Sequence, residues 1–574
     1  MQGGIFVSVE KEGHKFIANM IKEYGVSHIF HMEAIFRLVL QDLEDSGIKP
    51  IMAHTENAAG YMADGYARAT GKIGICMAQS VGAGNLAGGI TDAYLACSPV
   101  VAITGKKLPV LQKRNGYQEY DHTFLYEGLT KYNADIVDPQ QFPYMFRQAV
   151  RKATSGKPRP VHLDVSNNLG RTLELATIKD TGIADTTFGQ CPPFRPAADH
   201  AAVEKAVDAI SRADKPIIMA GRGAKVSGAD AEILALARKC DIPIVTTPDA
   251  KGLMDDNDPL WAGVNGDYGM DCANKALANA DLVIFIGTQT NDQSTCDWKC
   301  PPTTVKAIQI DIEPGELGRN YVDCIGLLGD ARTVTAQLLE AVSPSSHDAW
   351  RKSVAGYVND TLNDYEPLLH SDETPIRPER LCYEISKAMP DDAVLVSDTG
   401  YAAVWSATML RMKSTQRYIR AAGSLGWALP GSMGVKCGVG DRPVICFLGD
   451  GGMYYHLSEL ETAVKFGINT VTVINNNGVF AQCSGDIKSV YMNDPERGKK
   501  HYTFTNTNYT ELAQSFGCYA VRVTEPSQIG PAIQAALAAG KPAVVEVMTN
   551  PDIYRQPPIK GVKGSLVGVV YGLD

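Results

Sequence analysis

Residues 443–480, PVICFLGDGGMYYHLSELETAVKFGINTVTVINNNGVF, constrain the fold more than any other stretch of the chain. The apolar run 443–448 reads as a buried strand. It breaks at Gly449-Asp450-Gly451-Gly452, where backbone must approach a neighbour closely. Leu457, Leu460, Ala463, Val464 and Phe466 then keep helical spacing up to Gly467, and residues 470–474 read as a second buried strand that runs into Asn475, Asn476 and Asn477. In a right-handed β-α-β unit both strands end on one edge of the sheet, so Asp450 meets the asparagines there. A carboxylate and an amide oxygen beside glycine N–H groups suit a hard cation that keeps open positions for phosphate oxygens, as Mg²⁺ does.

The same stretch resembles the GDG…NN signature of thiamine diphosphate enzymes, down to the interval from Asp450 to Asn477. By that resemblance the metal ligands are Asp450, the side chain of Asn477 and the backbone carbonyl of Val479. Gly451 and Gly452 would donate N–H groups to the diphosphate, and Phe480 would stand beside it. A second motif agrees. Glu56, followed by Gly60, Ala63, Gly65, Tyr66, Ala67 and Arg68, is similar to the family's catalytic-glutamate motif, which implies that Glu56 binds N1′ of the aminopyrimidine.

Read in order, the chain is expected to be α/β, with three doubly wound parallel-sheet domains: a pyrimidine-binding domain at 1–185, a middle domain at 190–345 and a diphosphate-binding domain at 365–549. A polar, proline-bearing linker is expected over 343–380, and 550–574 is a tail that either packs or forms a lid. In the first domain, strands are expected at 26–30, 50–53, 73–78 and 99–104, with helices at 13–24 and 57–70. His31 to Ala34 reads as a loop at a strand's carboxyl end, so His31 and, after the next strand, His54 are candidate catalytic groups. Residues 79–85 read as a flexible ligand-edge loop in which Ser80 and Val81 depart from the family's glycines. Gln118, in Gly116-Tyr117-Gln118-Glu119, resembles a family glutamine that reaches the cofactor's reactive face.

In the middle domain, strands are expected at 216–220, 281–287 and 307–312. Relatives carry FAD or ADP there, and residues 310–314 resemble their ribose-contacting turn. Gln289 stands where those relatives place an arginine, so a bound nucleotide is left open. In the third domain, residues 398–401 form a loop that the resemblance sets against the diphosphate, bringing in Gly400 and Tyr401. The Gly423 carbonyl would accept from the 4′-amino group, and Leu425 would be wedged between the cofactor's rings. Gln482 and Cys483 begin a helix that faces substrate in relatives, and so line the expected substrate pocket.

Composition fits a large enzyme. The net charge of −10 comes without a basic tract, which argues against a nucleic-acid partner. Thirteen cysteines scattered singly point to reduced thiols and a cytoplasmic setting, and Cys296 and Cys300 lack the second pair that structural zinc needs. No apolar run reaches the ~18 residues of a membrane span.

The resemblance is to the acetolactate synthase, benzaldehyde lyase and oxalyl-CoA decarboxylase branch. It implies a thiamine diphosphate- and Mg²⁺-dependent lyase or carboligase acting on 2-oxo acids or acyloins through a C2 ylid and an enamine. A homodimer or homotetramer is also implied, with sites at the subunit interface. Alternatives are hydrolytic ring cleavage of a cyclic 1,2-dione, a 2-hydroxyacyl-CoA lyase or decarboxylase, and a catalytically silent nucleotide-binding scaffold.

Overall fold

A computed structural model describes residues 9–181 and 184–560. Three six-stranded parallel sheets dominate, each flanked by helices. The first runs Lys49–Met52, His28–His31, Gly74–Ala78, Val100–Lys106, Val161–Ser166, Asn133–Ile136 from edge to edge. The second runs Trp261–Val264, Ile244–Thr246, Pro216–Ala220, Leu282–Ile286, Lys306–Asp311, Cys324–Leu328. In the third the order is Arg417–Arg420, Val394–Ser397, Val444–Gly449, Val471–Asn476, Ala543–Met548, Tyr519–Val523. Central strands such as Gly74–Ala78 and Leu282–Ile286 are buried along their whole length, which is why they read as unbroken apolar runs. A two-stranded antiparallel ribbon, Val9–Glu12 with Thr177–Asp180, closes the first domain.

Three local expectations are corrected. Residues 343–380 are no open linker: they contain the 22-residue helix Asp348–Leu369, whose Trp350 Nε1 donates to the Pro216 carbonyl at 2.9 Å. Its buried positions Val354, Val358, Thr361 and Tyr365 are widely spaced among charged residues, so composition hid the helical stripe. The boundary expected between 345 and 365 therefore falls inside one element. Residues 79–85 are not a flexible loop, because Gly82 begins the 14-residue helix Gly82–Leu95. His31 is the last residue of its strand and buried, not part of a loop.

The tail from 550 onward packs as far as it is described. Tyr554 accepts from Lys488 Nζ at 2.8 Å, the Pro558 carbonyl accepts from Asn274 Nδ2 at 2.9 Å, and Lys560 N donates to Asp271 at 2.7 Å. It thus straps the third domain to the middle one, and residues 561–574 lie outside the described residues. No helix among the described residues is long and apolar enough to cross a membrane.

The first and third domains meet through two helices, Glu56–Thr70 and Ala428–Val439, at a distance only glycine allows. A methyl on Gly65 would sit 2.1 Å from the Gly431 carbonyl oxygen, and one on Gly434 would sit 1.9 Å from that of Met62. Gly434→Ala is expected to cost roughly 1–3 kcal/mol through this overpacking and to lower the thermal transition by several degrees. Gly356, in the middle of the Asp348–Leu369 helix with nothing within 4 Å of its missing methyl, is the control. Gly356→Ala should raise the transition slightly, by the ~0.5–1 kcal/mol of helix propensity.

Candidate active site

At the carboxyl edge of the third sheet, Gly449 lies directly opposite Asn475 in adjacent parallel strands. The second strand runs two residues further than its apolar pattern, through Asn475 and Asn476, and both side chains bond to residues on or next to the neighbouring strand. Asn475 Oδ1 accepts from Thr549 Oγ1 at 2.6 Å, and Asn476 Nδ2 donates to Glu546 at 2.8 Å. Asn477 is the asparagine that leaves the strand. Its Oδ1 accepts from Val479 N at 3.2 Å in a tight turn around Gly478, which has φ +70°. Among the described residues, no backbone N–H donates to the Val479 carbonyl.

Asp450 opens a single helical turn and is buried, with the backbone N–H groups of Gly451, Gly478 and Asn477 turned towards its carboxylate. Burial nevertheless pushes its carboxyl up to about 7, because the N–H dipoles do not replace lost hydration. A nearby cation would reverse that balance. Space is left for one: methyl groups on Gly449 or Gly478 would meet nothing within 4 Å. The donor set and the open space suit a hard cation carrying a phosphate.

Gly451 and Gly452 follow Asp450 in the same helical turn and are buried. Both glycines are also required by the protein's own packing. A methyl on Gly451 would lie 2.6 Å from the Phe480 ring, and one on Gly452 would lie 2.2 Å from Asp398 Oδ2. Phe480 itself stands edge-on to Phe504, with ring centroids 4.5 Å apart.

Gly400 takes φ +69°, which lets the chain turn from the Val394–Ser397 strand into the Tyr401–Thr408 helix. Tyr401 is the first residue of that helix, not of a loop, and packs edge-on against Trp405. Gln482 Nε2 donates to the Tyr268 hydroxyl of the middle domain at 3.2 Å, and its Oε1 lies 3.4 Å from where a methyl on Gly400 would sit. Cys483 is exposed as a free thiol. Gly423 is exposed and Leu425 half-buried, on a loop held from both sides.

On the first domain, Glu56 is the first residue of its helix, and Thr55 caps it by accepting from Ala58 N. Glu56 Oε2 accepts from Asn85 Nδ2 at 3.1 Å, and Oε1 lies 2.5 Å from a methyl built on Gly82, so this carboxylate rests on the first turn of the Gly82–Leu95 helix. Gln118 comes to the same edge. It takes φ +62°, and its carbonyl accepts from the buried Ser80 hydroxyl. Asn85 and Tyr120, whose hydroxyl lies 3.5 Å from a methyl built on Gly84, were not singled out from sequence. Asn85 stands in the segment 79–85 that was, and Tyr120 follows directly after Glu119.

The histidines separate. His31 ends the strand between those leading to Glu56 and to Ser80; it is buried with Nδ1 unpartnered, and burial pushes its imidazole below the usual range. His54 is tied elsewhere, with Nε2 2.7 Å from Glu461 of the third domain and its backbone N–H donated to Glu459 at 3.0 Å. Among the described residues, no hydrogen bond or ion pair joins Glu56 to the Asp450 turn within one chain.

A cavity of ≈ 270 Å³ lies where the three domains meet. Gln289 does stand there, with Nε2 3.2 Å from Cys97 Sγ, but the missing cation comes from other elements. Arg222 arrives from the turn after the Pro216–Ala220 strand, with Nε buried and unpartnered, and Arg420 from the third domain, with Nε and Nη1 unpartnered. Asp311 lines the same cavity, its carboxyl pushed up to about 6 by burial. Cys296 and Cys300 pack in the middle-domain core with Phe285 and Tyr321.

Comparison with known proteins agrees with this geometry. Residues 11–125, 203–338 and 398–547 match, in turn, the N-terminal TPP binding, central and C-terminal TPP binding domains of thiamine pyrophosphate enzymes. The chain is 30% identical over 536 residues to a "Probable acetolactate synthase large subunit" of Methanococcus aeolicus, covering 89% of this chain and 87% of that one. It is 29% identical over 579 residues to the acetolactate synthase large subunit of Corynebacterium glutamicum (98% and 90%), and 28% over 553 residues to that of Lactococcus lactis (95% and 94%). With three matched domains in the family's order, and near full-length likeness to these relatives, the chain belongs to the thiamine pyrophosphate enzyme family, in its acetolactate synthase branch, and is a thiamine diphosphate-dependent enzyme.

Proposed function

We propose that this enzyme is a Mg²⁺-dependent carboligase or lyase that joins or cleaves C–C bonds of 2-oxo acids or acyloins. The carrying observation is the meeting of Asp450 and Asn477 at one sheet edge, beside the open space over Gly449 and Gly478. The acetolactate synthase names of the relatives support the same direction. Asp450, Asn477 and the Val479 carbonyl would hold the cation. Glu56 would keep a proton at the pyrimidine N1′, the Gly423 carbonyl would orient the 4′-amino group, and Leu425 would keep the two rings from flattening apart. When bound, thiamine diphosphate supplies a carbon nucleophile for a carbonyl and an electron sink for the bond that breaks. Gln118 and the edge of the Ala481–Val490 helix, Gln482 and Cys483, would face the carbonyl substrate. His54 is withdrawn from this set by its pairing with Glu461.

The resemblance implies that a second copy of the chain completes the site, with Glu56 and the Asp450 turn contributed by different protomers. Large apolar side chains stand exposed on both halves: Val110, Tyr117 and Phe124 on the first domain, Val490 and Met492 on the third. A homodimer, or a tetramer of two such dimers, would cover them. In the cavity between the domains, the unpartnered Nε of Arg222 and Nε and Nη1 of Arg420 support an ADP-bearing ligand, of which FAD is one form.

A second reading, hydrolytic opening of a cyclic 1,2-dione, draws on His31, whose Nδ1 is unpartnered at the Glu56 edge and whose imidazole burial holds below the usual range. Assays with pyruvate, benzoin and cyclohexane-1,2-dione separate the two, and C–C ligation or cleavage of the first two without ring opening is the expected result.

Three outcomes test the main reading. Glu56→Ala and Asp450→Ala should each be inactive alone, while co-expressed together they should regain about a quarter of wild-type activity, since half of randomly mixed dimers carry one intact site. Burial raises the Asp450 carboxyl to about 7, and the group must be ionised to ligate a cation. Titration calorimetry with Mg²⁺ and thiamine diphosphate should therefore show affinity falling up to about tenfold per unit as pH drops below 7, with proton release on binding. A visible absorption scan of the purified protein, with mass spectrometry of released ligands, decides between flavin and ADP.

A further inference from the structure

The loop that carries Gly423 and Leu425 has no regular secondary structure, yet its backbone donors converge on two buried carboxylates. Asp92 Oδ1 accepts from Ala422 N at 2.9 Å, Gly423 N at 3.1 Å and Ser424 N at 3.3 Å, and Asp92 Oδ2 accepts from Ala422 N at 3.0 Å. Beyond Leu425, Gly426 N donates to Asp398 Oδ1 at 3.1 Å and Oδ2 at 2.9 Å. Both aspartates have no exposed surface. Three successive N–H groups closing on one oxygen make an anion nest, and here the anion is the protein's own side chain. Leu425 is the one residue between the two anchor points.

The anchors are themselves fixed. Asp92 lies 3.4 Å from Arg68 Nη2, and Arg68 forks onto Asp64 at 2.9 and 2.6 Å while donating to the Arg420 carbonyl at 2.6 Å. Trp427 Nε1 donates to Asp64 at 3.0 Å, and its ring lies under the Arg68 guanidinium at 4.5 Å. Asp398 reaches the other way, to where a side chain on Gly452 would stand. It therefore bridges the Leu425 loop and the turn that begins at Asp450.

We propose that Asp92 and Asp398 are positioning residues: from two different domains they suspend the backbone on either side of Leu425, and so set the Leu425 side chain and the Gly423 carbonyl for the cofactor. The suspension rests on the hydrogen bonds alone, and its use for thiamine diphosphate rests on the reading above. Asp92 lies ten residues, about 15 Å at the α-helical rise, along the same helix whose first turn takes the Glu56 carboxylate. One helix thus serves the catalytic glutamate at its start and this chain's own Leu425 loop further along.

Two measurements on the full-length protein test this. Amide hydrogen exchange of the cofactor-free protein, read by mass spectrometry, should show residues 421–428 exchanging ~10-fold faster or more in Asp92→Ala, with residues 282–286 of the middle sheet unchanged. Asp92→Asn keeps an oxygen acceptor and should stay close to wild type. Binding of thiamine diphosphate with Mg²⁺, followed by tryptophan fluorescence, should weaken ~10-fold or more in Asp92→Ala and be largely rescued in Asp92→Asn. Exchange within twofold of wild type in folded Asp92→Ala overturns the suspension, and so does Asp92→Asn behaving like Asp92→Ala. If Asp92→Ala does not fold, Asp398→Ala carries the same test at Gly426. Failure of the wild type to bind thiamine diphosphate overturns the cofactor half alone, since the exchange result still judges the loop.

Discussion

The docking of the first domain on the third centres on the buried guanidinium of Arg68. A charge without water must be matched by partners, and Arg68 has two oxygens of Asp64, the Arg420 carbonyl, the Ser98 hydroxyl and the face of Trp427. Those partners come from both the first and the third domain. The network therefore cannot form until the two domains have docked, and once formed it resists any sliding of one over the other. The glycine contacts along the same helices bring the backbones close enough for these short links. Packing and charge pairing here specify a single registration.

That registration has chemical consequences at both ends. At one end of the Glu56–Thr70 helix, the carboxylate of Glu56 is laid on the first turn of its neighbour. At the other, Asp64 and Arg68 hold Asp92 and Trp427, and through them the loop around Leu425. The chain is acidic overall, with a net charge of −10, so an anionic ligand gains nothing from the protein's long-range field. It must be bound by local devices: turn N–H groups and a cation-ready carboxylate at Asp450, and the guanidiniums of Arg222 and Arg420 in the middle cavity.

Much of this was legible in the chain. Parallel strands buried on both faces leave continuous apolar runs, so 216–220 was placed without error, and most other strands that were named shifted by one or two residues. The glycine-flanked Asp450 and the asparagine triplet read as one edge of a β-α-β unit because the spacing of such units is local. Errors came where the signal was weak or shared. Small residues in 79–85 looked like a loop, but glycine there admits the close approach of Glu56 to a helix terminus. Polar composition over 343–380 concealed a helix whose buried stripe is narrow. His54 looked like a catalytic group and is held by Glu461, some 407 residues away.

The sequence by itself determined the periodicities, the turns and the two motifs, since each depends on residues within about thirty positions of one another. Tertiary structure alone decided which distant groups meet: Asp92 with the backbone of residue 422 across 330 positions, Arg420 with Arg222 around a cavity between the domains, Asp398 with the space beside Gly452. A buried carboxylate accepting backbone N–H groups leaves no pattern along the chain. Its partner contributes only main chain, and main chain is the same at every residue.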